Sequence, residues 1–164
     1  MVDPHQAWAI IASALAPLHR IRLPLAASAG YVLAEDVRAD RDLPPADRSA
    51  MDGYAVRYSD LQARPCLLKL VGEVAAGSSA RPRVAPGTCV RILTGANIPP
   101  GADSVVMVED TAEDGSRVEI RSVVKPGANI LRRGEDARKR HVLLRKGDVL
   151  DASRIGVCAS VGHS

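Results

Sequence analysis

Three short stretches of the chain gather carboxylates, hydroxyls and guanidinium groups beside glycines. The first, ADRSAMDGYAV from Ala46 to Val56, holds Asp47, Arg48, Ser49, Met51, Asp52 and Gly53. The second, RILTGANIPPGADSVVMVED, sets Thr94 and Gly95 directly after an apolar run. The third, NILRRGEDARKR, places Arg132, Arg133, Glu135 and Asp136 around Gly134. Glycine lets a backbone approach a ligand closely. Paired arginines meet phosphate or oxyanion geometry in a bidentate way. Asp52 and Asp136 suit magnesium, which takes a few carboxylates along with waters and substrate oxygens. Together these residue types point to an anionic, phosphorylated ligand. Taken singly, each stretch also has a plainer reading: an Asp-Gly turn, a loop between paired strands, and a solvated turn with weak ion pairs.

Other chemistries find little support. His5, His19, His141 and His163 are scattered, and no pair has the helical spacing of metal ligands. No GxSxG elbow and no Walker-type phosphate loop occurs. Cys66, Cys89 and Cys158 are odd in number and widely spaced, with no CxxC, so neither a zinc ribbon nor a disulfide framework is indicated. A reducing cytoplasm is the expected setting. Cys89 falls inside a β-branched run and reads as a small core residue.

Charge is nearly balanced, with 22 basic and 19 acidic residues, and no basic run exceeds Arg138 to Arg140. One Trp, three Tyr and no Phe leave few aromatics to stack on bases, so nucleic acid is not an expected partner. The core has to be built from Val, Leu, Ile and Ala, with burial spread over many small side chains. The start MVDPHQAW lacks the pattern of a signal peptide, and no apolar run approaches the roughly 18 residues of a membrane span. A length of 164 residues suits one ordinary domain or two small lobes.

The elements that must position the three loops follow from periodicity. Residues 3–16 read as a helix, with Asp3 as N-cap, Pro4 in the first turn, Gln6 at the capping-box position and Pro17 as the stop. Trp8, Ile11, Leu15 and Leu18 form a narrow apolar stripe that has to pack against something else. LPLAASAGYVLAEDV (23–37) reads as a short helix closed at Gly30 and then an extended segment, and RADRDLPPADRS reads as a lobe boundary. From Met51 to about Leu144 short β-branched runs dominate: GYAVRY, CLLKLVGEV, TCVRIL, DSVVMVE and RVEIRSVV, with EDGS as a hairpin turn. KPGANILRRGEDARKR is a long irregular link, and residues 152–161 read as a helix capped by Asp151 and stopped near Gly162. The expected class is α+β, mainly β with flanking helices. A β-barrel-like lobe (39–144) is inserted into a small helical lobe (21–38 and 145–164), after an N-terminal helix within residues 1–20.

LPPADRSAMDGYAVR, RILTGANIPPGADSVVMVED and GANILRRGEDARK resemble, in order and spacing, the N-terminal half of the molybdopterin molybdenumtransferases, the MoeA family that includes the C-terminal domain of gephyrin. The likeness runs from about Leu23 to Gly162. It implies that adenylylated molybdopterin and molybdate are the substrates. It also implies that the adenylyl group is cleaved in a step dependent on a divalent metal such as Mg2+, leaving molybdenum on the pterin dithiolene. By this match Asp52, Thr94 and Asp136 are catalytic: Asp52 and Asp136 place metal or substrate, and Thr94 hydrogen-bonds it. Ser49, Met51, Gly53, Gly95, Arg132, Arg133, Gly134 and Glu135 then line the substrate, with the two arginines facing its anionic groups. The resemblance further implies a cytoplasmic homodimer with its cleft between the β lobe of one subunit and the nucleotide-fold lobe of the other. A molybdopterin adenylyltransferase and downstream molybdoenzymes are the implied partners, with no nucleic acid and no membrane.

Some positions depart from the family pattern. Ala46 stands where Phe is usual, Arg48 where Asn is frequent, Leu131 where a basic residue is frequent and Asn97 where Pro is. The family's nucleotide-fold lobe and final β lobe would follow Gly162, so this chain alone is expected to lack turnover. The apolar stripe of the first helix, which packs on the nucleotide-fold lobe in the family, is expected to be exposed or re-paired. The alternative reading is a non-catalytic β-barrel scaffold or protein-interaction module. A small-ligand or nucleic-acid barrel is disfavoured by the low aromatic content.

Overall fold

The computed structural model describes residues 3–16, 18–62, 65–122 and 124–163. The chain forms two compact units, Met1–Val37 with Leu144–Ser164, and Arg38–Leu143. Strands β1 (Val37–Arg38) and β10 (Val142–Leu144) fall where the chain passes from one unit to the other. Among the described residues no helix is long and apolar enough to cross a membrane.

In the first unit, helix α1 (Pro4–Ala14) begins where its cap dictates. Asp3 is extended, and its carboxylate accepts from the His5 N–H at 2.6 Å, satisfying one of the open donors of the first turn. The helix ends at Ala14 rather than at residue 16, because Leu15 is already extended. The expected stop at Pro17 lies outside the described residues. No residue of α1 is buried, and Trp8 is 71% exposed, so the stripe read from its spacing is a surface stripe. A 3-10 turn at Leu25–Ala27 takes the place of the expected short helix, followed by Gly30 at φ +80°. Backbone bonds from Gly30 to Leu150, Leu150 to Tyr31 and Leu33 to Asp148 tie this stretch to the segment before helix α2 (Ala152–Ser160). Asp151 caps α2 by accepting from the Arg154 N–H at 2.8 Å, as its place in the sequence predicts, and Cys158 is buried.

The second unit is built on a six-stranded sheet. Its order is β6 (Ser104–Met107), β3 (Gly53–Val56), β5 (Thr88–Ile92), β4 (Cys66–Val74), β8 (Arg117–Ile120) and β7 (Thr111–Asp114). Every neighbouring pair is antiparallel except β4 with β5. The run RVEIRSVV stops being strand at Ile120, and its Val123 lies outside the described residues. Asp114 pairs with Arg117 across Gly115 at φ +59°, the hairpin that EDGS predicts.

Both faces of the central strands are covered, which is why GYAV is apolar throughout rather than alternating. Tyr54 and Val56 pack with Cys66, Leu68, Cys89, Val106, Val118 and Ile120 on one face. Ala55 packs with Val74, Val90, Ile92 and Val105 on the other, beneath Val84 and Ala96. The sheet also curls. In a flat sheet β3 and β7 would lie four strand spacings apart, about 19 Å, beyond the reach of a tyrosine. Yet the Tyr54 hydroxyl donates to the Glu113 carboxylate on β7. A bulge in β4 between Leu70 and Glu73 adds local twist. The result is a half-barrel whose end strands are β6 and β7, with residues 127–129 hydrogen-bonded along the outer side of β6.

Candidate functional site

The three polar loops meet in the second unit, and residues 47–50 are the seam between them. Strand β2 (Arg48–Ser49) pairs with β9 (Ile130–Leu131), which joins the first loop to the third. On its other side the Ser49 N–H donates to Ala96 O at 2.9 Å, Gly95 N–H to Ser49 O at 2.8 Å and Ile98 N–H to Asp47 O at 3.0 Å, which joins the first loop to the second. The Ala50 N–H donates to Asn129 O at 2.9 Å. Ser49 is fully buried, and its hydroxyl donates to Met51 O at 2.6 Å, bending the chain toward Asp52. A buried hydroxyl needs such a partner, and this one fixes the local fold of the loop.

Asp52 and Thr94 are bonded directly. Oδ1 of Asp52 accepts from the Thr94 N–H and from the Thr94 hydroxyl, each at 2.7 Å. The hydroxyl first, then the N–H, hold the Asp52 carboxyl below its usual range, with a smaller contribution from the Arg91 charge. Among the described residues these two bonds fall on one oxygen, and Oδ2 carries none. The pairing of Gly53 with Ile92 carries both chains out of the sheet side by side, so Asp52 and Thr94 emerge together beyond its end.

Asp52-Gly53 is not a hairpin turn. Met51 and Asp52 form a bend, and Gly53 is the first residue of β3, paired with Ile92 on one side and Met107 on the other. Glycine stands there for space, since a Cβ would sit 1.9 Å from Val106 O. Gly95, at φ +80°, does serve a turn, the one that follows Thr94.

In the third loop, Arg132 and Arg133 face carboxylates of this chain. The Arg132 guanidinium lies 2.8 Å from Asp47, whose other oxygen accepts from the Arg133 N–H at 2.8 Å. The Arg133 guanidinium lies 2.6 Å from Asp42, which also accepts from the Lys139 N–H at 2.8 Å. Both carboxyls are held below their usual range, Asp47 chiefly by the Arg133 N–H and Asp42 chiefly by the Lys139 N–H. Glu135 closes the turn around Gly134 by accepting from the Arg132 N–H at 2.7 Å. Asp136 is held through its backbone N–H, which donates to Leu43 O, and its carboxylate has no hydrogen-bond partner among the described residues. It borders a shallow cleft of about 490 Å³ formed by residues 134–141.

Sequence reading passed over Asp42 as a site residue. Its partners lie in the third loop, and no spacing signal links them. No group of three or more His, Cys, Asp or Glu side chains able to hold a metal occurs among the described residues. A magnesium ion bound jointly by one or two carboxylates, waters and a phosphate does not require such a group. Oδ2 of Asp52 and the carboxylate of Asp136 each lack a hydrogen-bond partner among the described residues, and the antiparallel β2–β9 register carries Asp52 toward Thr94 and Asp136 toward Leu43.

A family profile described as the MoeA N-terminal region, domains I and II, matches residues 2–162. The chain belongs to this family. Molybdopterin molybdenumtransferase 2 of Mycobacterium tuberculosis is 36% identical over 165 residues, covering 98% of this chain and 40% of that protein. The molybdopterin molybdenumtransferase of Staphylococcus aureus is 37% identical over 148 residues, covering 88% of this chain and 35% of that protein. The crystal structure of the molybdopterin biosynthesis MoeA protein from Pyrococcus horikoshii superposes with a TM-score of 0.81 at 40% identity, over 85% of this chain and 38% of that one. This MoeA N-terminal chain therefore spans about 40% or less of the length of these relatives. The half-barrel and the loop seam lie within the matched region.

Proposed function

We propose that this chain is the substrate-binding N-terminal part of a molybdopterin molybdenumtransferase, acting on adenylylated molybdopterin and molybdate. The observation that carries the reading is the pair of hydrogen bonds from Thr94 to Asp52, which joins two separate family motifs into one polar group at the end of the sheet. In this reading Thr94 orients Asp52 and keeps it ionised, so that Oδ2 is presented to the ligand side. Asp52 and Asp136 are the carboxylates that would hold Mg2+, which when bound supplies charge neutralisation at a phosphate. Ser49 and the β2–β9 pairing hold the three loops in register. The names of the relatives, which cover molybdopterin and molybdenum transfer, support the substrate class. The same reading carries a cytoplasmic homodimer supplied by a molybdopterin adenylyltransferase, and sedimentation velocity of the assembled protein tests the dimer.

The test uses a chimera in which this chain replaces the N-terminal region of a full-length relative. Molybdenum transfer to molybdopterin is measured with Asp52 and with Asp52→Ala. The reading expects a loss of about 100-fold or more, with an unchanged thermal midpoint. Transfer retained by a folded Asp52→Ala protein contradicts it.

A further inference from the structure

The third loop carries two kinds of cation. Arg132 and Arg133 face carboxylates of this chain, Asp47 and Asp42. The side chains of Arg138, Lys139 and Arg140 do not: they are exposed and make no hydrogen bond or ion pair among the described residues. With Asp136 and His141 they line the open cleft of about 490 Å³ formed by residues 134–141. Asp42 and Arg138 both flank Gly134, but each Asp42 oxygen is taken, one by the Arg133 guanidinium and the other by the Lys139 N–H. Glu135, also in the cleft wall, accepts from the Arg132 N–H. Three cations in succession repel one another, and an anion in the cleft would offset that repulsion.

The backbone supplies a second observation. Among the described residues only Asn129 and Arg140 are non-glycine residues at positive φ, +56° and +71°. Asparagine tolerates this region, glycine adopts it freely, and arginine has neither advantage. Arg140 is held there by its N–H, which donates to Ala39 O at 2.8 Å, and by its carbonyl, which accepts from the Arg38 guanidinium at 3.3 Å. A strained turn position beside a cleft, filled by a long cation instead of glycine, marks a side chain kept for something other than the turn.

We propose that the cleft of residues 134–141 binds a diphosphate group of the ligand, with Arg138, Lys139 and Arg140 meeting its oxygens. The inference rests on the functional reading above, in which Asp136 is a ligand-facing carboxylate, and it gives that reading its cations. Contacts from arginine and lysine to phosphate oxygens are charge-assisted, and arginine can make two in parallel. A diphosphate carries more charge than a single tetrahedral anion such as molybdate, so it matches three successive cations better. Arg132 and Arg133, by contrast, hold the third loop against carboxylates of the chain itself.

The test follows the backbone amides of residues 134–141 in the 164-residue chain by nuclear magnetic resonance, in metal-free buffer at constant ionic strength. Inorganic pyrophosphate, phosphate and molybdate are titrated separately. Pyrophosphate should shift these amides saturably and bind about tenfold or more tightly than either single anion. Arg138→Gln and Arg140→Gly should each weaken it about fivefold or more. Arg81→Gln removes an exposed charge from another loop and should change the affinity less than about twofold. Arg140→Gly also relieves the positive φ, so its thermal midpoint should not fall. Affinity lost without stability lost separates a ligand contact from a role in the fold. Amides unmoved by pyrophosphate, an equal affinity for molybdate, or an affinity unchanged in Arg138→Gln or Arg140→Gly overturns the proposal. Loss of transfer in Asp52→Ala alongside amides unmoved by pyrophosphate sinks this inference and leaves the functional reading standing. Pyrophosphate binding alongside full transfer in Asp52→Ala does the reverse.

Discussion

Asp52 owes its low proton affinity first to the Thr94 hydroxyl and then to the Thr94 N–H. Thr94→Val removes the first donor and keeps the second, so the Asp52 carboxyl should titrate closer to 3.8, as carbon-detected resonance would show. Asp42 and Asp47 are depressed as well. The folded chain keeps all three ionised below the pH at which the unfolded chain takes up their protons. Their contribution is therefore fully present above 3.8 and is lost as pH falls further. Urea midpoints should fall as pH drops below about 4; a flat profile there contradicts the assignment. At the alkaline end the sign reverses. Burial, then the Glu113 bond, pushes the Tyr54 hydroxyl up to about 12, and burial pushes the Cys89 thiol up to about 12. Stability carried by these two is present below their unfolded values of 10 and 9 and is lost as pH rises toward 12. An ultraviolet titration should leave one of the three tyrosines silent until the chain unfolds. At this scale loop composition and motif spacing single out Asp52, Thr94 and Asp136, and the structure bonds the first two to each other. The ion pairs of Asp47 with Arg132 and of Asp42 with Arg133 join residues 85 and 91 positions apart, and local pattern has no access to such distances.

The strands were the most legible elements. CLLKLVGEV is strand from end to end, because β-branched and leucine residues fill a pleated surface buried on one side. The Asp-Gly pair was misread for a physical reason. Glycine is needed both where φ is positive and where two backbones touch, and residue type alone does not separate the two cases. Gly53→Ala is accordingly expected to be severe, about 3 kcal/mol or more in chemical denaturation, since the added carbon meets the Val106 carbonyl rather than a flexible side chain. An alanine that costs less than about 1 kcal/mol would show that β3 and β6 separate easily. Leu68, inside the curled face, should cost about 2–5 kcal/mol as Leu68→Ala. Helix α1 was legible from its cap and its spacing, and its apolar stripe is exposed, one of the two outcomes expected of it. An eleven-residue helix that buries nothing is marginal in water, so its amides should exchange far faster than those of β3 and β5.

At the scale of the whole molecule, the chain leaves one compact unit at Val37 and returns to it at Leu144, and the polar loops all lie in the unit between. Much of the exposed large apolar surface, including Trp8, Ile11, Leu15 and Leu18, lies in the other unit. Deleting residues 1–16 removes no buried side chain of α1 and should move the thermal midpoint by less than about 2 °C. In the sequence it is the change from helical to β-rich composition and back that suggests an insertion. A barrel-like lobe was legible from the short strands and their breakers; that the curl brings Tyr54 of β3 to Glu113 of β7 was not. The central claim is that separate loops act as one site through the Asp52–Thr94 pair. A double-mutant cycle of molybdenum transfer in the chimera tests it most directly, using Asp52→Ala, Thr94→Val and both together. The account predicts that the double variant is little worse than Asp52→Ala alone, a coupling of about 1 kcal/mol or more. Losses that simply multiply, or a double variant that still transfers molybdenum, would contradict it.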